Sequence, residues 1–466
     1  MRAEYGGFTV GDLARWCGAR TIPQPATARR RVRLVQHDSR LVGPRDVFVA
    51  LKTDVNDGHA YVAQAFEAGA VSAVVSTRGA AALPPGLQGK VIVTTNPLKG
   101  VQRAARTWRT NLGTLVVGIT GSNGKTTMRS FVSTVLGSAL PVCATEGNYN
   151  NHIGVPLSLL RMKEEHYVGV FEMGANHRGE IHTLSSLVKP DIAIITSIGY
   201  SHVGTFGSLQ ATTAAKLEII DGLNPKGILL VNGDDGRLVR AARACGVAPV
   251  LFGTSARCAV RALDVRVSLR ETSFRHEGQR YRLTAGGSHY VYPALVALHL
   301  AQRLGIERTC MVEAVAGLEA AALRGGIRTV GSVTFLLDCY NANPSSMRCA
   351  LEQLCCAAGR SRRVAVVGDM LELGRFSTRL HRELGRKLAA VGVRLVVAVG
   401  EQACHVADGA LQAGLCARSI EVVTHAREAA TVLAKRIRSS DVVLLKGSRA
   451  LALESVYEHF CAGGRA

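Results

Sequence analysis

From Thr114 onward the chain repeats one pattern: a short apolar run, a break of glycine or polar residues, then a segment of helical period. The runs are TLVVGIT (114–120), YVGVFEM (167–173), DIAIITSI (191–198) and KGILLVN (226–232). Such runs read as strands buried on both faces. Their alternation with helices predicts a mostly parallel sheet wrapped by helices. After Arg324, Gly325 and Gly326 a second series follows, with VTFLLD (333–338), RRVAVVGD (362–369), VRLVVAVG (393–400), IEVVT (420–424) and DVVLLKG (441–447). This reads as a Rossmann-like block. Ahead of both lies a small α/β unit, with strands DVFVA (46–50) and VSAVV (71–75) around a helical-period stretch at 61–68. At 466 residues the chain exceeds the size of a single core. The expected architecture is α/β in three domains: 1–112, 113–324 and 325–466.

Composition excludes several classes. Hydrophobic residues make up 47% and charged residues 20%, which is a globular rather than a disordered balance. The stretch MRAEYGGFTVGDLARW has no apolar core of a secretory leader, and no apolar run is long enough to span a bilayer. The 12 cysteines are scattered, with only Cys355 and Cys356 adjacent and no C-x-x-C pair, which fits reduced thiols in cytosol. The net charge of +21 raises the question of nucleic acid. Its densest runs, Arg29 to Arg33 and Arg360 to Arg363, are short and lack the interleaved aromatics of a single-strand binder. No nucleic-acid partner is expected.

Within the first parallel series, Gly118-Ile119-Thr120-Gly121-Ser122-Asn123-Gly124-Lys125-Thr126-Thr127 joins a strand to a helix, the context of a phosphate-binding loop. Glycines let successive N–H groups face phosphate, the helix start adds its dipole, Lys125 supplies a mobile charge and Thr126 a hydroxyl for Mg²⁺. The strict pattern would put its first glycine at Ile119, so Gly118 comes one residue early. The plainer alternative is an ordinary glycine turn, but the Gly-Lys-Thr ending counts against it and nucleotide binding is expected, though such a loop names no reaction.

Glu172 ends one strand and His202 follows the next, which sets both at the carboxyl edge beside that loop. They could hold Mg²⁺, or be a surface glutamate and a loop histidine with no shared role. Lys216 sits in TTAAKLEII (212–220), which reads as a helix start, where a lysine is usually just solvated.

Taken in order, these segments resemble the Mur ligases, and closely the type that adds D-alanyl-D-alanine. GITGSNGKTT (118–127), GNYNNHIGVPLSLL (147–160), FEMGANHRGEI (171–181), SHVGTFGS (201–208), AAKLEII (214–220), DCYNANPSSM (338–347), VVGDMLELG (366–374) and LLKGSRALALE (444–454) carry the resemblance through the later blocks. DSRLVGPRDVFVALK (38–52) and DGH (57–59) carry it in the first.

The resemblance implies a UDP-binding first domain, a central ATPase domain and a Rossmann-like last domain. It implies that Gly121, Ser122, Asn123, Gly124, Lys125, Thr126 and Thr127 hold ATP phosphates, that Thr126, Glu172 and His202 serve Mg²⁺, and that Lys216 is carbamylated and joins them. Lys125, His202 and Lys216 would be the catalytic residues. Asn341 and Asn343 would lie near the base and Asp338 near the ribose. Lys446, Ser448 and Arg449 would meet the dipeptide, Asp38, Ser39 and Arg40 the UDP end, and Asn150 and Asn151 the muramoyl-peptide. ATP, Mg²⁺, a UDP-N-acetylmuramoyl-tripeptide and D-alanyl-D-alanine are the implied cofactors and substrates, in a cytoplasmic monomer.

Some positions depart from the family pattern. Its G-x-H-N-x-x-N stands here as Gly287-Ser288-His289-Tyr290-Val291-Tyr292-Pro293, without either asparagine. Leu337 replaces the first of two aspartates, Gly204 stands where glutamate is common, and Arg45 and Thr53 replace glycines. The implied reaction brings ATP, a carboxylate and a diphosphate together, so positive charge must offset their repulsion. Rival readings are a ligase that adds one amino acid to a shorter substrate, against which the missing D-N-P-R motif counts, a non-catalytic binder of the same substrates, and a basic nucleic-acid-binding ATPase.

Overall fold

The computed structural model describes residues 7–318, 323 and 325–463. Its strands form four sheets. The first is four-stranded and parallel, in the order Val35–Gln36, Val47–Val49, Ser72–Ser76, Val91–Thr94. The helix Pro97–Asn111 leaves it, started by proline in the first turn and by Asn96, whose side chain accepts from the Lys99 N–H. Trp108 on this helix is buried, and its indole N–H donates to the Met162 carbonyl at 2.9 Å. One apolar core therefore runs from the first sheet into the next.

The central sheet has seven strands, all parallel: Val260–Arg261, Val250–Gly253, Ile228–Asn232, Ile192–Ile195, Leu115–Thr120, Val168–Glu172 and Val142–Ala144. The chain leaves Leu115–Thr120 toward one side and returns on the other, so the order reverses at that strand. A crevice opens at the carboxyl ends of the strands beside such a reversal. The helix Lys125–Gly137 that follows buries Met128, Phe131, Val132, Val135 and Leu136, one stripe of helical period, against the helix Val291–Arg303. Phe131 stacks on Tyr290 with centroids 5.9 Å apart. Truncating such a buried phenylalanine costs about 3–5 kcal/mol.

All four apolar runs expected of this block are strands of this sheet. A three-stranded antiparallel sheet, Leu263–Val267, Thr272–His276 and Gln279–Leu283, was not foreseen, because arginines alternate through it and break every apolar run. The last sheet is six-stranded, in the order Gly326–Val330, Val333–Leu337, Val442–Lys446, Arg363–Gly368, Leu395–Val399, Ile420–Val423. Only its first pair is antiparallel. Of the junction between the two series, Arg324 lies outside the described residues, while Gly325 takes φ 85° and Gly326 opens a strand. All 12 cysteines are free. Among the described residues no helix is long and apolar enough to cross a membrane.

Candidate active site

The phosphate loop spans the end of strand Leu115–Thr120 and the start of helix Lys125–Gly137. Gly118 is a strand residue, and its place in the loop falls to Gly121. There φ is 144°, and a Cβ would lie 2.0 Å from Thr196 Oγ1, so only glycine fits. Gly124, at φ 78°, starts the helix without a capping side chain. The first-turn amides of Lys125, Thr126 and Thr127 thus have no helical acceptor and suit an anion. Lys125 Nζ donates to the Gly121 carbonyl at 2.9 Å, folded back over the loop. The next strand's end braces it: Ser122 N donates to Ser197 O at 2.8 Å and Thr196 Oγ1 to Asn123 O at 2.5 Å.

Glu172 ends its strand and is 2% exposed. Oε1 accepts from Asn150 Nδ2 at 2.7 Å, whereas Oε2 is buried with no hydrogen-bond partner among the described residues. A buried carboxylate oxygen left unpaired is costly unless a cation meets it. Among the described residues no group of three or more His, Cys, Asp or Glu forms a ready metal cage. An oxygen-poor protein set of this kind suits Mg²⁺, which keeps waters and takes substrate phosphates as ligands.

Lys216 corrects the expectation of a solvated helix start. The helix is Leu209–Leu217, begun by Ser208 accepting from Ala211 N, so Lys216 lies in its last turn and is 1% exposed. Nζ donates to Ala175 O at 3.2 Å and sits 5.3 Å from the Phe206 ring centroid. Burial, with repulsion from Lys125, pushes the amine down to about 7, against the opposing pull of Glu180 and Glu218.

His202 stands at φ 57°, in the left-handed region, with Nδ1 2.5 Å from Glu372 Oε2 in a charge contact that lacks hydrogen-bond alignment. This contact holds the Glu372 carboxyl below its ordinary value. Beside it, Gly204 N donates to Glu372 O at 2.9 Å, and a Cβ on Gly204 would come within 2.7 Å of that oxygen. The glycine in place of the family's glutamate lets the two loops touch. Glu372 lies inside the VVGDMLELG segment, where nothing in the sequence marks it as a partner of His202.

The last sheet brings its strand ends to the same place. Lys446 is fully buried and its Nζ donates to Asp338 Oδ2 at 2.6 Å and Asn341 O at 3.0 Å. The lysine expected at the dipeptide and the aspartate expected at the ribose are therefore one ion pair. Asn343 caps the helix Pro344–Ala358 by accepting from Ser346 N, while its Nδ2 donates to Asn123 Oδ1 at 2.5 Å and Ser201 Oγ at 2.9 Å. Ser448 is buried, accepting from Leu371 N at 3.0 Å, and Arg449 is exposed and paired with Glu454.

On the opposite side, Asp38 caps the short turn Ser39–Leu41 and binds Arg40, which brings its carboxyl down to about 2. Ser39 Oγ donates to Gln64 Oε1 at 3.1 Å. His37 meets Tyr149 edge to face at 5.6 Å, joining this turn to the loop of Asn150 and Asn151. Asn151 spends its side chain accepting from Ile153 N and Gly154 N at 3.1 and 2.9 Å.

Two further departures, Arg45 and Tyr290, are accommodated locally. Arg45 takes φ 65°, a conformation natural to the glycine it replaces. Tyr290 fills core where the family has asparagine, and the Tyr292 hydroxyl donates to Asp234 Oδ2 at 3.0 Å. His289, which the sequence shows only as part of that segment, is half-buried near Asp338 and Lys446, and loss of solvent brings its imidazole down to about 4.

Comparison with known proteins agrees with this geometry. The Mur ligase middle domain matches residues 119–301 and the Mur ligase glutamate ligase domain residues 326–449. The UDP-N-acetylmuramoyl-tripeptide–D-alanyl-D-alanine ligase of Bacillus subtilis is 34% identical over 439 residues, 94% of each chain. The crystal structure of MurF from Acinetobacter baumannii superposes with a TM-score of 0.85 at 28% identity, covering 99% of this chain and 100% of that one. MurF from Thermotoga maritima, solved in complex with ADP, superposes at 0.79 with 26% identity, covering 95% and 99%. The chain belongs to the Mur ligase family, and within it to the MurF type.

Proposed function

We propose that this protein is an ATP-dependent ligase that joins D-alanyl-D-alanine to a UDP-N-acetylmuramoyl-tripeptide. The observation that carries the reading is the junction at Asn343, which hydrogen-bonds both Asn123 of the phosphate loop and Ser201 next to His202. ATP held by one sheet thereby faces the strand ends of another. The substrates are those in the name of the Bacillus subtilis relative. The domains run 1–112, 113–324 and 325–466, the last two hinged near residues 324–326.

In the reaction a carboxylate oxygen of the tripeptide attacks the γ-phosphorus and ADP leaves. The dipeptide amine then attacks the acyl carbon, loses a proton and displaces inorganic phosphate. Lys125 and the first-turn amides at Lys125, Thr126 and Thr127 hold the phosphates in line and offset their charge. Glu172 and Thr126, with His202 alongside, would hold Mg²⁺, which supplies positive charge against the phosphate oxygens. Lys216, whose amine burial pushes down to about 7 and so leaves partly neutral at that pH, adds to CO₂ and releases a proton to give an anionic carbamate. Asp38, Ser39 and Arg40 take the UDP end and Asn150 the muramoyl-peptide. Asn341 and Asn343 take the base, Asp338 the ribose, and Lys446, Ser448 and Arg449 line the approach of the dipeptide. The protein works in the cytoplasm as a monomer.

The test is phosphate release on mixing ATP, UDP-N-acetylmuramoyl-tripeptide and D-alanyl-D-alanine, with each omitted in turn. Release with a single amino acid in place of the dipeptide, or none with the full mixture, would overturn the reading.

A further inference from the structure

The arginine run at 360–363 has no part in the site above. Arg360, Arg362 and Arg363 follow the helix Pro344–Ala358 and lead into the strand Arg363–Gly368. Arg394 precedes Leu395–Val399, Arg418 precedes Ile420–Val423, and Arg436 and Arg438 precede Val442–Lys446. Parallel strands bring all their amino ends to one edge, so seven arginines gather around one cavity of about 950 Å³. Two serines, Ser361 and Ser419, and two glycines complete its lining, with no carboxylate and no aromatic ring. Lys446, at the active site, ends a strand that Val442 begins at this edge, which puts the cavity about 13 Å away along the strand.

Three of the arginines are fixed from behind. Arg362 Nη1 donates to Arg436 O at 3.0 Å and pairs with buried Asp441 at 3.2 Å. Arg363 Nη1 donates to Val391 O at 2.5 Å. Arg436 pairs with Glu421 at 2.5 Å and donates to Arg418 O at 2.6 Å. The other four, Arg360, Arg394, Arg418 and Arg438, are exposed, and their side chains make no ion pair among the described residues. Burial pulls the Arg362 guanidinium below its ordinary value, and Arg438 and Arg436 add repulsion that Asp441 opposes.

We propose that this cavity binds a compact polyphosphate anion, a ligand with two or more linked phosphates. Guanidinium forks grip phosphate oxygens in pairs, and the anchored arginines lose little freedom on doing so. The absence of aromatic side chains leaves nothing on which a base would stack, so charge and tetrahedral shape are what the site reads. Its concavity favours a small anion over a flat membrane surface.

The probe is inorganic tripolyphosphate, titrated by calorimetry at about 0.15 M salt, where charges beyond roughly 8 Å are screened. The Lys125→Ala protein serves as the starting chain, since its nucleotide phosphate site is disabled. It should still bind one equivalent, and adding Arg394→Ser with Arg418→Ser should weaken that binding at least about tenfold. Arg360→Ser with Arg438→Ser should do the same. Either pair in the otherwise wild-type chain should leave ligation unchanged, which also shows that the variants fold. No binding to the Lys125→Ala protein, equal binding after the arginine substitutions, or binding only to single-stranded RNA or to phosphatidylglycerol vesicles would each overturn the proposal.

Discussion

Replacing Lys216 by methionine separates the cost of burying an amine from its use. The amine falls from 10.5 to about 7 in the folded chain, chiefly through burial. The unfolded chain therefore holds the extra proton between about pH 7 and 10.5, and wild-type stability rises with pH through that window. At about 1.4 kcal/mol per pH unit, the penalty is roughly 4 kcal/mol at pH 7 and only about 1 kcal/mol near pH 9.5. Methionine keeps the unbranched shape and cannot take the proton. It forfeits the hydrogen bond to Ala175, worth about 1 kcal/mol.

Lys216→Met should thus be more stable than wild type by roughly 3 kcal/mol at pH 7, with the gap nearly closed at pH 9.5. The measurement is the urea unfolding midpoint of both proteins across pH, in CO₂-free buffer without nucleotide. A gap that stays flat with pH would refute the burial argument. In the same variant turnover should vanish, because no carbamate can form. Lys216→Ala should be equally inactive but regain some ligation with added acetate or formate, whose carboxylate occupies the vacated space. Full activity of Lys216→Ala without any acid would show that the lysine has no part in the chemistry.

Lys125→Ala should lower turnover by at least about a hundredfold while circular dichroism stays unchanged, since the loss is of phosphate neutralisation and one hydrogen bond to Gly121 O; near-normal turnover would remove the phosphate-site assignment. Asn343→Ala should raise the KM for ATP several-fold and cost about 1 kcal/mol from the lost helix cap; an unchanged KM would mean that the contact with Asn123 does not serve the nucleotide. Gly204→Ala should cut kcat without altering the KM for ATP, because its Cβ would press within 2.7 Å of Glu372 O and part the two loops; unaltered kcat would show that this approach is not needed in turnover.

How much of this was legible depended on whether a signal was local. The strand, loop and helix of the phosphate site stood in the sequence because each part has its own mark: an apolar run, glycines that take positive φ at little cost, and a lysine at the helix start. Glu172 and His202 could be set at one edge because parallel strands fix the direction of every strand end. Lys216 was misplaced within its helix because the true start, Ser208, lies in a loop motif, and nothing in AAKLEII distinguishes a buried lysine from a solvated one. Pairings between segments far apart in the chain left no mark at all. Lys446 with Asp338 joins residues expected to serve different substrates, and Asn343 with Asn123 spans 220 positions. Where the loop at 200–207 meets the loop at 369–376, a backbone hydrogen bond from Gly204 N to Glu372 O stands beside the side-chain contact of His202 with Glu372. A backbone approach is written only as a missing side chain, so the glycine found in place of a glutamate, in the sequence no more than a departure from the family pattern, is the trace of a close approach.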